Sequence, residues 1–176
     1  MQPLVIAVGN PLAGDDALGY CTGLVLERCT RGRDFDIIVL QALEPGVAAY
    51  FEGRELVVFV DAVDPGVLPE GAKIAVIEVD PTRLSVEELA ETLMEISSHE
   101  SNPINIALIA RASGLFDGRV VLVTPRAYRL ELREGLSEDA CRLLPRVAAK
   151  VLEVLGSSAS IDEGCAENIA GVCGCK

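Results

Sequence analysis

Five short runs of almost unbroken apolar residues punctuate the chain: LVIAV (4–8), DIIVLQA (36–42), ELVVFVD (55–61), KIAVIEV (73–79) and RVVLVTP (119–125). Each has strand length, and continuous Val, Ile and Leu rather than strict alternation marks strands buried on both faces. Between the runs the apolar positions return with helical spacing. Leu18, Cys21, Leu24, Val25 and Cys29 form such a stripe within 16–30, and residues 45–52 suit a short helix with Pro45 in its first turn. In 85–96, Ser85 precedes Glu88 by three positions, the spacing of a capping box. Residues 102–114 open on Asn-Pro and stop at a glycine, and 137–156 open on Ser137 as a cap and carry Pro145, where a kink is expected.

This order predicts a three-layer α/β/α fold: a five-stranded, mostly parallel, doubly wound sheet of phosphorylase/hydrolase-like type. One connection breaks the rhythm. AVDPGVLPEGA, between the third and fourth strands, is too rich in Pro and Gly for the crossover helix a parallel return needs, so the fourth strand is expected to run antiparallel at an edge. Residues 1–156 read as a single domain. After Gly156 the composition shifts to SSASIDEGCAENIAGVCGCK, which reads as a mobile, cysteine-containing tail over 157–176.

Length and charge narrow the classes. With 176 residues and 50% hydrophobic content the chain sustains one real core, burying roughly 70% of the surface it would expose unfolded. A net charge of −12 with no Lys/Arg cluster argues against nucleic acid or an anionic membrane as partner. The five-residue apolar run near the start lacks a basic leader and reads as a strand rather than a signal peptide, so a cytoplasmic protein is expected. In that setting Cys21, Cys29 and Cys141 read as reduced core thiols. Cys165, Cys173 and Cys175 have neither C-x-x-C spacing nor a fourth ligand nearby. They read as disordered thiols, with a metal or redox role as the alternative.

The stretch GNPLAGDDALG (9–19) follows the first strand, where many folds place a phosphate cradle. It fits neither G-x-G-x-x-G nor the P-loop, Pro11 removes a donor, and Asp15 and Asp16 would repel an anion. Ligands of open α/β sheets bind outside the carboxyl ends of the strands, where strand order reverses. If the order is 2-1-3, Asp16, just beyond strand one, and Asp61, ending strand three, face one small volume, since neighbouring strands lie about 4.8 Å apart. Two readings of the Asp15–Asp16 pair stay open: a cation ligand, or charge complementing a helix N-terminus. Asp64, in Asp-Pro-Gly, is explained by a turn; Asp61 is not. The lone histidine, His99, sits in a polar loop before Asn102-Pro103 and would complete a three-ligand set with open positions for water or substrate.

VGNPLAGDDALG, then VVFVDAVDPG, then a histidine in SSHES, with GLSEDACRLLPRVAAKVLEVL at the end, resemble the maturation endopeptidases of nickel–iron hydrogenases over residues 4–155. That resemblance implies an enzyme that removes the C-terminal extension of a hydrogenase large-subunit precursor after nickel insertion. It also implies that Asp16, Asp61 and His99 contact the nickel carried by the precursor, with other divalent ions able to occupy the site. In place of the family's acidic residue and Gly-Gly-Thr turn after strand two, this chain has QALEPG, with Gln41 and Glu44 bordering the crevice. Glu44 reads either as a compensating acid or as a helix-start residue. G-x-S-x-G and H-E-x-x-H are both absent. Two rival classes remain: a non-proteolytic nickel-binding accessory or scaffold protein, and a flavodoxin-like nucleotide or flavin module. Oligomeric state is left open.

Overall fold

The computed structural model describes residues 1–79 and 102–176. The regular elements are β1 (Leu4–Val8), α1 (Ala17–Cys29), β2 (Thr30–Arg31), β3 (Asp36–Leu40), β4 (Leu56–Asp61), β5 (Ile74–Val79), α2 (Pro103–Ala112), β6 (Arg119–Pro125), α3 (Glu138–Leu155), β7 (Ser160–Ile161) and α4 (Glu163–Val172). The helix expected over 85–96 and the candidate ligand His99 lie outside the described residues.

The main sheet has the order β3-β1-β4-β6-β5. β1 pairs in parallel with β3 and β4, and β4 with β6, whereas β5 runs antiparallel to β6 at the edge. The cause is the short connection: residues 62–73 hold only a three-residue 3₁₀ turn, Pro65–Val67, and a chain without a crossover must return antiparallel.

Apolar runs without alternation make sense because both faces of the sheet are covered. Val5, Ala7, Val58, Val60, Val121 and Val123 face one layer with Leu18 and Val25 of α1 and Leu143, Leu144 and Val147 of α3. Leu4, Ile6, Val57, Phe59, Val120 and Leu122 face the other, with Ile106 and Ala110 of α2 and Phe51 of the 3₁₀ segment Pro45–Phe51. There Phe51 meets Phe116 edge-on with centroids 5.1 Å apart, a favoured aromatic geometry. The helix boundaries follow their caps. Asn102 accepts from the Asn105 amide at 3.0 Å, Ser137 Oγ accepts from Ala140 at 3.2 Å, and Gly156 closes α3 at φ 62°.

The last twenty residues overturn two expectations. They are neither a loose tail nor a set of free thiols. β7 pairs antiparallel with β2, Asp162 caps α4 by accepting from the Cys165 amide at 2.8 Å, and three disulfides fasten the segment to the domain. Cys21 joins Cys173, Cys29 joins Cys165 and Cys141 joins Cys175, leaving no free cysteine. The pairing has a geometric basis. Cys21 and Cys29 lie eight residues apart on α1, and Cys165 and Cys173 lie eight apart on the facing segment. At 1.5 Å rise per residue each pair spans about 12 Å on one helix face, so two antiparallel helices can be stapled twice in register.

Candidate functional site

The site is built where β1 hands over to α1. Gly9 and Gly19 let the helix pass close to the strand ends. A Cβ on Gly19 would sit 2.1 Å from the Val8 carbonyl oxygen and 2.7 Å from that of Val60, and one on Gly9 would sit 2.1 Å from the Asp16 carbonyl oxygen. Only glycine permits so near an approach. The intervening turn spends its own donors. Asn10 N donates to Asp16 Oδ2 at 2.6 Å, Leu12 N to Asn10 Oδ1 at 2.9 Å, and the amides of residues 13–16 all donate to backbone carbonyls. Pro11 has no N–H. No amide of residues 10–16 is left to cradle a phosphate, which agrees with the charge argument against a nucleotide or flavin. The Asp16 side chain makes no capping hydrogen bond to α1. Of the two readings of Asp16, capping through its side chain is thereby removed.

Asp61 ends β4 and is in register with Val8 of β1. Both acids border one cleft of about 350 Å³, with Val8, Gly9, Asn10, Gln41, Ala42 and Leu43. This is the crevice at the switch point of the sheet, where β1 neighbours β3 on one side and β4 on the other. Among the described residues none donates a hydrogen bond to the Asp61 carboxylate. Burial, and secondarily the negative charge of Asp16, push its pKa from an ordinary 3.8 up to about 7. Two carboxylates bring hard oxygen donors to one volume, chemistry that suits a divalent cation. Among the described residues no group of three His, Cys, Asp or Glu side chains converges, so the two acids are the donor set in view. The QALEPG departure does border the cleft, through Gln41, Ala42 and Leu43. Glu44 does not: it is exposed and precedes the 3₁₀ segment, without a side-chain cap. Asp64 accepts from Gly66 N at 2.8 Å, as a turn residue does.

Asp15, next in the chain to Asp16, has a role that local sequence does not reveal. Its side chain is fully buried and accepts four hydrogen bonds, from Tyr128 N (2.8 Å), Arg129 N (2.9 Å), Ser137 N (2.7 Å) and Ser137 Oγ (2.7 Å). Four donors, two on each oxygen side or shared, satisfy a buried carboxylate. Asp15 is a clasp that binds the turn to the loop between β6 and α3.

The same architecture occurs in solved structures. The hydrogenase maturating endopeptidase HybD from E. coli is 20% identical, with 91% of this chain and 96% of that chain covered and a TM-score of 0.65. The hydrogenase 2 maturation peptidase from Thaumarchaeota archaeon SCGC_AB-539-E09 is 24% identical over 89% and 99% of the two chains, with a TM-score of 0.63. The [NiFe] hydrogenase maturation protease HycI from Thermococcus kodakarensis KOD1 is 26% identical over 89% and 93%, with a TM-score of 0.58. The fold is that of the hydrogenase maturation endopeptidases. No protein-family model matches the sequence, and no curated protein matches it. Within the maturation-endopeptidase fold, the Asp16–Asp61 cleft occupies the carboxyl-end crevice. No helix among the described residues is long and apolar enough to cross a membrane.

Proposed function

We propose that the chain is an endopeptidase of hydrogenase maturation. It removes the C-terminal extension of a nickel–iron hydrogenase large-subunit precursor after nickel insertion. The observation that carries this reading is the pair of carboxylates, Asp16 and Asp61, bordering one switch-point cleft with no amide left to receive an anion. The likeness of fold to proteins named as hydrogenase maturation proteases supports it, as does the run of motifs along the sequence.

In this reading nickel arrives as part of the substrate. Asp16, oriented by the Asn10 amide, offers an oxygen donor to the loaded metal, Asp61 a second, and His99 an imidazole nitrogen. Their joint grip identifies a correctly loaded precursor and holds its scissile peptide beside the cleft. Hydrolysis then needs a proton acceptor for the attacking water. A carboxyl with a pKa of about 7 suits that task when unligated: the water oxygen bonds to the peptide carbonyl carbon, its proton passes to the carboxylate, and the C–N bond breaks as the proton reaches the leaving amine. Metal that polarises the carbonyl is the alternative division of labour.

The test is cleavage of nickel-loaded and nickel-free precursor by the Asp16→Ala, Asp61→Ala and His99→Ala variants. Loss of cleavage in each, with only the loaded precursor cut by the parent protein, is expected. Full activity in all three rejects the site. Nickel binding without cleavage of any precursor points instead to an accessory or scaffold protein.

A further inference from the structure

We propose that the disulfide-fastened C-terminal segment, residues 157–176, is a positioning element for the Asp16 carboxylate, acting through the Asp15–Ser137 clasp. The inference rests on reading Asp16 as a metal-facing donor.

The contacts form one continuous chain. Cys173 and Cys175 lie at the end of α4. Cys173 is bonded to Cys21 on α1, five residues beyond Asp16, and Cys175 to Cys141 on α3, four residues beyond Ser137. The Cys173 carbonyl accepts from Leu136 N at 2.9 Å. Gly174 lies against Gly135, so closely that a Cβ on Gly174 would come within 2.7 Å of the Gly135 Cα. Both glycines have positive φ, 83° at Gly135 and 87° at Gly174. Two residues after Gly135, Ser137 gives its amide and hydroxyl to Asp15. The same loop closes on the turn from its other end: Asp15 N donates to the Arg129 carbonyl at 2.7 Å and Gly14 N to that of Arg133 at 3.0 Å.

Asp16 itself has little to hold it. Among the described residues its carboxylate receives one hydrogen bond, from Asn10 N within the same turn. Its direction is therefore set by the backbone of residues 10–16, which the clasp ties to 128–137, and 135–137 rest on the end of the stapled segment. Supporting residues of this kind govern how well a ligand set is preorganised. The third disulfide, Cys29–Cys165, attaches at the far end of α1 and provides an internal control.

The experiment measures nickel(II) ion binding by titration calorimetry to the tag-free, oxidised chain at 25 °C and pH 8, in paired-cysteine variants that leave no new thiols. Cys141→Ala/Cys175→Ala and Cys21→Ala/Cys173→Ala should weaken binding at least tenfold. They should also speed hydrogen exchange at the Tyr128, Arg129 and Ser137 amides. Cys29→Ala/Cys165→Ala should leave affinity within twofold of the parent while still lowering Tm. A purely structural role for the staples would not separate the variants in this way. Gly174→Ala, which keeps all three disulfides but crowds Gly135, should weaken binding about threefold and covers the case in which a paired variant does not fold. Equal affinity in Gly174→Ala and in every folded cysteine variant overturns the proposal. Asp16→Asn in the intact chain separates the failures. If it leaves nickel affinity unchanged, the metal-facing reading of Asp16 has failed. If it weakens binding while the clasp-side variants do not, only the positioning role has.

Discussion

Replacing Asp61 by Asn should make the protein more stable at pH 8 and no more stable at pH 4. The folded state raises the pKa of Asp61 from 3.8 to about 7. Between those values the native chain binds a proton that the unfolded chain releases. The stabilising contribution of the protonated carboxyl is therefore complete below about pH 4 and is lost progressively up to about pH 7, beyond which it changes no further. At about 1.4 kcal/mol per tenfold change in proton affinity the full displacement corresponds to about 4 kcal/mol. Asp61 is only partly buried and the cleft is open to water, so screening reduces this to about 2 kcal/mol. For a chain of this length, 1 kcal/mol moves Tm by about 2–4 °C. Asn cannot ionise, so the variant should melt about 4–8 °C above the parent at pH 8 and together with it at pH 4. The assay is thermal unfolding by circular dichroism from pH 4 to 8, in chelator and with the disulfides intact. Melting curves that track each other across that range would refute the reasoning. An activity assay completes the argument: a variant that gains stability and loses cleavage identifies a carboxylate retained for its chemistry.

Nickel(II) binding to the parent should weaken about tenfold per pH unit below about pH 7, because Asp61 must shed its proton to ligate; calorimetric affinities that are flat from pH 8 to pH 5 would count against it. Asp16→Asn should weaken nickel(II) binding at least tenfold and lower stability by only about 1 kcal/mol, since one turn amide exchanges its acceptor. Gly19→Ala should cost about 1–3 kcal/mol by overpacking against the Val8 and Val60 carbonyls, read as a lower midpoint in urea. Cys141→Ala/Cys175→Ala opens a loop of sequence separation 34 and should cost about 4 kcal/mol on the chain-entropy account.

The sheet was legible because burial on both faces leaves apolar runs that no helix imitates, and the antiparallel edge because AVDPGVLPEGA cannot supply a crossover. Asp16 and Asp61 were legible for a related reason: an acid at the carboxyl end of a buried strand has few structural duties. Asp15 was not, since its four donors come from residues 113 to 122 positions away, and no local pattern encodes an acceptor for them. The disulfides left a signal that was overlooked, the matched eight-residue spacing of Cys21–Cys29 and Cys165–Cys173. Assigning the cysteines by compartment hid it. With six of six paired, the thiols no longer support a reducing environment. The helix in the tail was missed because its Gly-containing sequence has weak intrinsic propensity. The Asp162 cap and the staples supply what the propensity lacks.

These features are energetically linked. Two carboxylates held in one cleft cost about 2 kcal/mol at neutral pH and above, while a single staple contributes about 4 kcal/mol. The C-terminal segment thus offsets a destabilising acid pair as well as bracketing it. The consequence is a compensation experiment. In the Cys141→Ala/Cys175→Ala background, adding Asp61→Asn should restore about half of the lost stability at pH 8, about 2 kcal/mol of 4, and none at pH 4. Near-additivity is expected, because Asp61 and the staple share no partner among the described residues. Chemical denaturation at both pH values provides the measurement. Equal recovery at pH 4 and pH 8 would show that the Asn acts by packing rather than by removing a charge, and the link between the acid pair and the staples would be broken.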